Sequence, residues 1–264
     1  DLGSAYVTFP NDYIETEWWA IKQLWDRGLV YRGMRVTPHC PRCVTTLSSH
    51  EVALGYKDDT KDPSIYVKFE VDRDEPSGTP AAQALLHASA GTPVYLLAWT
   101  TTPWTLPGNT SLAVKADADY ALVELPADKK AGRSAERFIM AQALLDQALT
   151  GPYRVVTTVQ GADLVGLRYR PLYHPIDFNL PGGSIRYFER DTGQLLYVGQ
   201  NLPSLKYHVA DMEPQATANS WCVIAADFVS LEDGTGIVHI APAFGEDDYN
   251  AGKQNGLYFV QQVD

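Results

Sequence analysis

Cysteine is scarce in this sequence: three residues in 264. Three thiols cannot build a disulfide framework, so a reducing, cytoplasmic setting is expected. Long apolar runs are missing as well. Runs such as "VYLLAW" (94–99) fall far short of the roughly 20 residues that cross a bilayer, which excludes a helical membrane partner. The first residues, "DLGSAYVTFPNDYIETEWW", contain no basic start followed by an apolar core, so no secretory signal is read there. The chain opens on Asp1 rather than methionine, as expected of a piece of a longer protein. Positive charge is in deficit: 21 Lys and Arg stand against 32 Asp and Glu, a net charge of −11. That excludes a broad non-specific nucleic-acid surface but leaves room for a local grip on one RNA end. What is present, 45% apolar and 20% charged residues, reads as a soluble globular chain long enough for a real core.

Residues 1–57 differ from the rest. "NDYIETEWWAIKQLWDRG" predicts an amphipathic helix, with Ile14, Trp18, Ile21 and Trp25 at helical spacing and Gly28 as the stop. Asp12 is the expected cap, with Glu15 as its capping-box partner. Short strands around a cysteine knuckle are expected next. From about residue 60 the pattern turns to strands. "SIYVKFEV" alternates Ile65, Val67, Phe69 and Val71 against Tyr66, Lys68 and Glu70. "PVYLLAW", "YALVEL", "YRVVTTVQG", "SIRYFE", "KYHVA", "SWCVIAADFV" and "GIVHI" are further strands. Helices are predicted in "AAQALLHASA", in "AERFIMAQALLDQAL" ending at Gly151, and in "EDDYNAGKQN" ending at Gly256. Many short strands with few helices imply a mainly β (α+β) fold, a barrel-like β core with peripheral helices.

Three constellations carry chemistry. In "LLAWTTTPWTLPGNT" (96–110), Pro103 and Pro107 stop a regular ladder, so the chain must leave its sheet as a stiff loop presenting Thr100, Thr101, Thr102 and Thr105. Neutral hydroxyls suit the positioning of a polar substrate and a water. They are not strong nucleophiles, because no general base adjoins them in sequence. In "LEDGTGIVHIAPAFGEDDYNAGKQNGL" (231–257), a Gly234-Thr235-Gly236 turn feeds a strand carrying His239, and acids at 246–248 open a helix. First-turn acids also complement a helix dipole, and a lone strand histidine is often structural. Their joint appearance past a strand end, where loops carry function, favours a site. In "HCPRC" (39–43), Cys40 and Cys43 have zinc-knuckle spacing but make half a site. His39 or His50 would complete it locally, and residues outside this chain are the favoured alternative. Cys222, in the apolar "SWCVIAADF", reads as a buried small hydrophobe.

Together, "YIETEWWAIKQLWDRGLVYRG", "TPHCPRCVTTLSSHEV", "WTTTPWTLPGNT" and "GTGIVHIAPAFGEDDY" resemble the isoleucyl-tRNA synthetase family, specifically its inserted editing domain and the edge of its catalytic domain. "GADLVGLRYRPLYHP" (161–175) is similar to a further segment of that family. Valyl and leucyl relatives carry arginine after the threonines; here Thr102 stands in that place and Trp104 follows Pro103. The resemblance implies that residues 1–57 are the edge of a class I catalytic domain. Residues 58–264 are then the editing domain, cut short at its C-terminal end. It implies zinc at Cys40 and Cys43, with a second cysteine pair outside the chain. The family's ATP-binding signatures, H-I-G-H and K-M-S-K-S, are absent. ATP and magnesium thus belong only to a full-length enzyme that joins isoleucine to tRNA(Ile).

The implied activity is hydrolysis of valine from the 3′-terminal adenosine of tRNA(Ile), with no cofactor for that step. One methylene separates valine from isoleucine, and a hydrophobic pocket gains only about 1–3 kcal/mol from it, a limit for which isoleucine-specific synthetases are themselves the standard illustration. A second site that admits the smaller amino acid answers this. The ester is already activated, so the site needs orientation, a water and a dock for the α-ammonium. By resemblance, Asp248 docks the ammonium, with Asp247 as its rival. Thr100, Thr101 and Thr102 line the site, contacting the ester, the terminal adenosine or the water, and His239 excludes isoleucine and helps to hold the water; with Asp248 these are the catalytic residues the resemblance implies. Asn109 braces the loop or contacts substrate, and Trp104 contacts substrate or packs. The expected partners are the aminoacylated tRNA end and the rest of the synthetase. Three rival readings remain: a valyl- or leucyl-type editing domain, a non-catalytic tRNA-acceptor or zinc module, and a thiol hydrolase using Cys222.

Overall fold

A computed structural model describes residues 6–31, 35–55, 57, 61, 63–74, 77–89, 91–127, 132, 134–173, 184–188, 195–200 and 219–261, with only the backbone described for 184–188, 195–200 and 261. The expected strand "KYHVA" (206–210) lies outside these residues. The chain divides into two units, 1–37 and 38–264.

The first unit carries helix α1 (Asn11–Asp26). Asp12 does not cap it. Pro10 occupies the N-cap position without a side-chain bond, and the Pro10 carbonyl accepts the amides of Tyr13 and Ile14. A helix started by a proline-fixed backbone leaves Asp12 inside the first turn, where its carbonyl accepts the Thr16 hydroxyl at 2.8 Å. The helix closes after Trp25, with Gly28 N–H on the Trp25 carbonyl and Leu29 N–H on that of Leu24. No α1 residue is buried; Trp18, Trp19 and Trp25 stay exposed.

The second unit opens with a two-stranded hairpin, β1 (His39–Cys40) against β2 (Thr45–Thr46), followed by α2 (Ser49–Leu54) with a Ser48/Glu51 capping box. Next in chain order are β3 (Ile65–Glu70), α3 (Pro80–His87), β4 (Val94–Thr100), a 3-10 helix (Pro103–Gly108), β5 (Ser111–Val114), β6 (Asp119–Leu125) and β7 (Glu136–Ala141). Then follow α4 (Leu145–Ala148), β8 (Arg154–Gln160), α5 (Gly161–Leu164), β9 (Ser184–Phe188), β10 (Leu195–Gln200), β11 (Val223–Ala225), β12 (Ile237–Ile240), α6 (Glu246–Asn255) and β13 (Tyr258–Gln261). The largest sheet runs β3-β4-β7-β6-β8, antiparallel except for the parallel pair β4–β7. A second is β11-β5-β12, with β5 parallel to β11 and antiparallel to β12; a third is β10-β9-β13. The fold is thus mixed α+β. No sheet closes into a barrel among the described residues.

The alternation expected in β3 holds at Val67, Phe69 and Val71, which are buried, while Ile65 is exposed at the open start of the strand. The helix expected over 135–149 is corrected: its first half is β7, and only 145–148 are α-helical. β7 is hydrogen-bonded on both sides, to β4 and β6, and Phe138–Ala141 are buried. A strand covered on both faces reads as a continuous apolar run, which periodicity does not distinguish from a buried helix. The core centres on Phe69, Leu96, Leu122, Ile139 and Met140. Each such side chain contributes about 1.5–3 kcal/mol on leaving water. A smaller cluster (Ala113, Ile224, Val229, Ile240, Ala251 and Leu257) joins the middle of α6, and Leu257 just past its end, to the β5 sheet.

Candidate functional site

The site follows from how β5 is paired. After β4 the chain turns through the 3-10 helix, then runs straight into β5, whose partner is β12 in the register Leu112↔His239. The Thr110 N–H bonds to the Ile240 carbonyl at 2.9 Å, fixing the exit of the threonine loop to the end of β12. Beneath Trp99 sits the Gly234-Thr235-Gly236 turn. Gly234 has φ +75°, and a Cβ there would lie 2.7 Å from the Trp99 ring, so neither the conformation nor the space admits a side chain. Two segments far apart in sequence therefore face one cavity of about 240 Å³.

One wall of this cavity is Trp99, Thr100, Thr101, Thr102 and Thr105; the other is Val238, His239, Ala241, Phe244 and Asp248. The hydroxyls form a chain. The Thr102 amide donates to Thr100 Oγ1 at 3.0 Å, and Thr102 Oγ1 lies 3.3 Å from Thr100 Oγ1 and 3.4 Å from Thr105 Oγ1. Thr105 Oγ1 donates to the Thr102 carbonyl at 2.8 Å and meets His239 Nε2 at 3.0 Å. His239 is buried, and burial pulls its imidazole down to about 4, so the ring is neutral near pH 7.

Asp248 stands in the first turn of α6. Its Oδ1 accepts the Ala241 N–H at 2.7 Å, tying the helix start to the end of β12. Burial pushes its carboxyl above the usual range, against the pull of the Ala241 and Asp248 amides. The other oxygen, Oδ2, occupies the space a Cβ on Gly245 would take. Phe244 is seated in the same way against Gly108, where a Cβ would come within 2.8 Å of its ring. Gly256, in the left-handed region, ends α6 as the sequence implied.

Of the residues singled out from sequence, Thr100, Thr101, Thr102, His239 and Asp248 come together at this cavity. Asn109 does not line it: buried behind the loop, it accepts the Tyr169 hydroxyl at 2.6 Å and donates to the Ser111 carbonyl at 2.8 Å. Trp104 is 60% exposed and outside the lining, and Asp247, next to Asp248 in sequence, is exposed and not part of the wall. Trp99, Val238, Ala241 and Phe244 were missed as lining residues; their only sequence signal is adjacency to the two motifs.

Cys40 and Cys43 sit at the β1–β2 turn. The Cys43 N–H donates to Cys40 Sγ at 3.4 Å, and this bond heads the causes that hold the Cys40 thiol below its usual value. Such N–H···S bonds suit a thiolate ligand, so the turn fits half of a tetrahedral zinc site. Neither His39 nor His50 completes it: among the described residues no three His, Cys, Asp or Glu gather as a metal cluster. Cys222 is buried, its thiol pushed up by desolvation and donating to the Asn219 carbonyl at 3.1 Å. That is the opposite of an activated thiolate. Among the described residues no helix is long and apolar enough to cross a membrane.

The family model of class I tRNA synthetases (I, L, M and V) matches residues 1–252. The chain belongs to this family. Curated relatives include isoleucine–tRNA ligases. That of Dehalococcoides mccartyi (strain CBDB1) is 45% identical over 264 residues, covering all of this chain and 23% of that protein. That of Clostridium novyi (strain NT) is 39% identical over 264 residues, covering all of this chain and 19% of that protein. The chain thus spans about a fifth of the length of the curated synthetases it matches. Among solved structures, the Plasmodium knowlesi cytosolic leucyl-tRNA synthetase editing domain aligns at 16% identity with a TM-score of 0.41, covering 72% of this chain and 60% of that one. Membership in the class I synthetases rests on the sequence matches alone.

Proposed function

We propose that this chain carries the editing activity of an isoleucine-type synthetase: hydrolysis of valine from the 3′-terminal adenosine of tRNA(Ile). The observation that carries the reading is the single cavity walled by neutral hydroxyls on one side and by a carboxylate and a neutral imidazole on the other. Water adds to the ester carbonyl carbon, the bond from that carbon to the ribose oxygen breaks, and the ribose oxygen takes a proton. Free valine and uncharged tRNA leave. Asp248 docks the α-ammonium through a charge-assisted hydrogen bond, its carboxylate held in place by the Ala241 N–H that Oδ1 accepts. Thr100, Thr101 and Thr102 orient the ester and the water, which supplies most of what an activated ester needs. His239 closes the side-chain end against the extra methyl of isoleucine. Asn109 braces the loop from behind, and Trp104 and Asp247 stand where the acceptor end of the RNA would approach.

In the complete synthetase, residues 58–264 would be the editing domain and residues 1–57 the edge of the catalytic domain, which uses ATP and magnesium. Cys40 and Cys43 would hold zinc together with ligands from the rest of the enzyme. The test is deacylation of Val-tRNA(Ile), Thr-tRNA(Ile) and Ile-tRNA(Ile) by the 264-residue chain. Preferential release of valine is expected. A preference for another ester indicates a valyl- or leucyl-type site, and RNA binding without hydrolysis indicates a non-catalytic acceptor module.

A further inference from the structure

We propose that Thr105 is a positioning residue that holds His239 as its Nε2–H tautomer, so that the imidazole is a fixed neutral wall of the cavity and not a proton acceptor. A threonine hydroxyl has one proton to give. That of Thr105 goes to the Thr102 carbonyl at 2.8 Å, an acceptor that cannot return one. At the 3.0 Å contact with His239 Nε2, Thr105 Oγ1 must therefore accept, and the ring nitrogen carries the hydrogen. The remaining nitrogen, Nδ1, is then a bare lone pair, buried and without a hydrogen-bond partner in the structure. One nitrogen is occupied as a donor and the other is sealed from solvent, so neither can take a proton from a water in the cavity. Asp248 is the one other titratable side chain on the walls. The inference deepens the proposed hydrolysis and rests on that reading only for its kinetic arm: the water is positioned here, and His239 does not deprotonate it.

The experiment uses the 264-residue chain with ¹⁵N-labelled histidine, the His239 signals being those lost in His239→Gln. From about pH 8 to about pH 5.5 the wild type is expected to show a protonated Nε2 and a bare Nδ1, without titrating. Thr105→Ser should keep this pattern. Thr105→Val keeps the shape but removes the acceptor, so mixed tautomers are expected, while the midpoint, held down by burial, should not rise above about 4. The pH profile of valyl-ester hydrolysis by the wild type should carry no histidine inflection between about pH 5.5 and 8, and one that disappears in His239→Gln overturns the proposal. A wild-type Nδ1–H tautomer, or a Thr105→Val spectrum identical to wild type, overturns the proposal. Should Thr105→Val not fold, the wild-type tautomer still decides. A wild type that hydrolyses no ester defeats the proposed function and leaves the spectroscopic outcome standing on its own.

Discussion

The two walls of the cavity differ in how they treat water. On the β4 side, Thr101 and Thr102 are exposed and uncharged, so they cost little desolvation. On the β12–α6 side, His239 and Asp248 are drawn into the protein, and burial shifts both toward neutrality, the imidazole down and the carboxyl up. Specific recognition of an ammonium group needs a carboxylate held in a low-dielectric setting, and that setting strains the fold. On the proposed reading, selectivity belongs to the costly wall and orientation to the inexpensive one.

The contrast is broken most directly at Asp248. Asp248→Ala is expected to slow valyl-ester hydrolysis about 100-fold, as loss of a charge-assisted bond implies, with a modest drop in melting temperature because the buried Ala241 N–H loses its acceptor. Rates close to wild type would reject the ammonium dock. Nearly as large is the effect of pH on stability. His239 binds its proton near 6.5 when unfolded but only at about 4 when folded, so its contribution is complete above pH 6.5 and is lost as pH falls toward 4, by on the order of 3 kcal/mol. Denaturant titrations across this range should show the loss, and His239→Gln should flatten it. Asp248, with its raised value, works in the opposite direction and partly masks it.

Gly245→Ala sharpens the comparison without substituting either titratable group. Its Cβ would displace Oδ2, and a misplaced carboxylate should slow hydrolysis by roughly 10- to 100-fold while the melting curve hardly moves. Wild-type rates in this variant would show that the position of Oδ2 is immaterial. His239→Ala should narrow discrimination between valyl and isoleucyl esters by about tenfold, read from their relative deacylation rates. If the isoleucyl ester stays protected, His239 is not the gatekeeper. Thr101→Ala and Thr102→Ala remove neutral, exposed hydroxyls and should each slow hydrolysis only about 2- to 10-fold. A larger loss from Thr101 than from Asp248 would invert the assignment of the walls.

Much of this was legible before any coordinates. The prolines at 103 and 107 announced the exit from β4, the glycines at 234 and 236 the turn before β12, and the acids after Gly245 the start of α6. Pairing was not legible. β5 is only four residues long, too short to declare itself, yet it brings the two motifs together. β7 was mistaken for a helix because it is covered on both faces, and Asp12 for a cap because Pro10 sets the helix start by backbone geometry alone. α1 illustrates the same limit: spacing predicts the helix, but the fate of its tryptophans depends on what it meets. Resemblance to known synthetases supplied roles for single residues, which periodicity could not. It left Asn109 as a brace of the loop or a substrate contact, and the structure encloses it behind the loop.

Thr105 and His239 are 134 residues apart along the chain. At roughly 5–20 residues per second, a ribosome exposes the threonine segment on the order of ten seconds before the histidine that completes it. For that interval β5 has neither of its sheet partners, since β11 and β12 both come late. The nascent chain must carry an unfinished edge, and the pocket cannot act until nearly all of these 264 residues have been made.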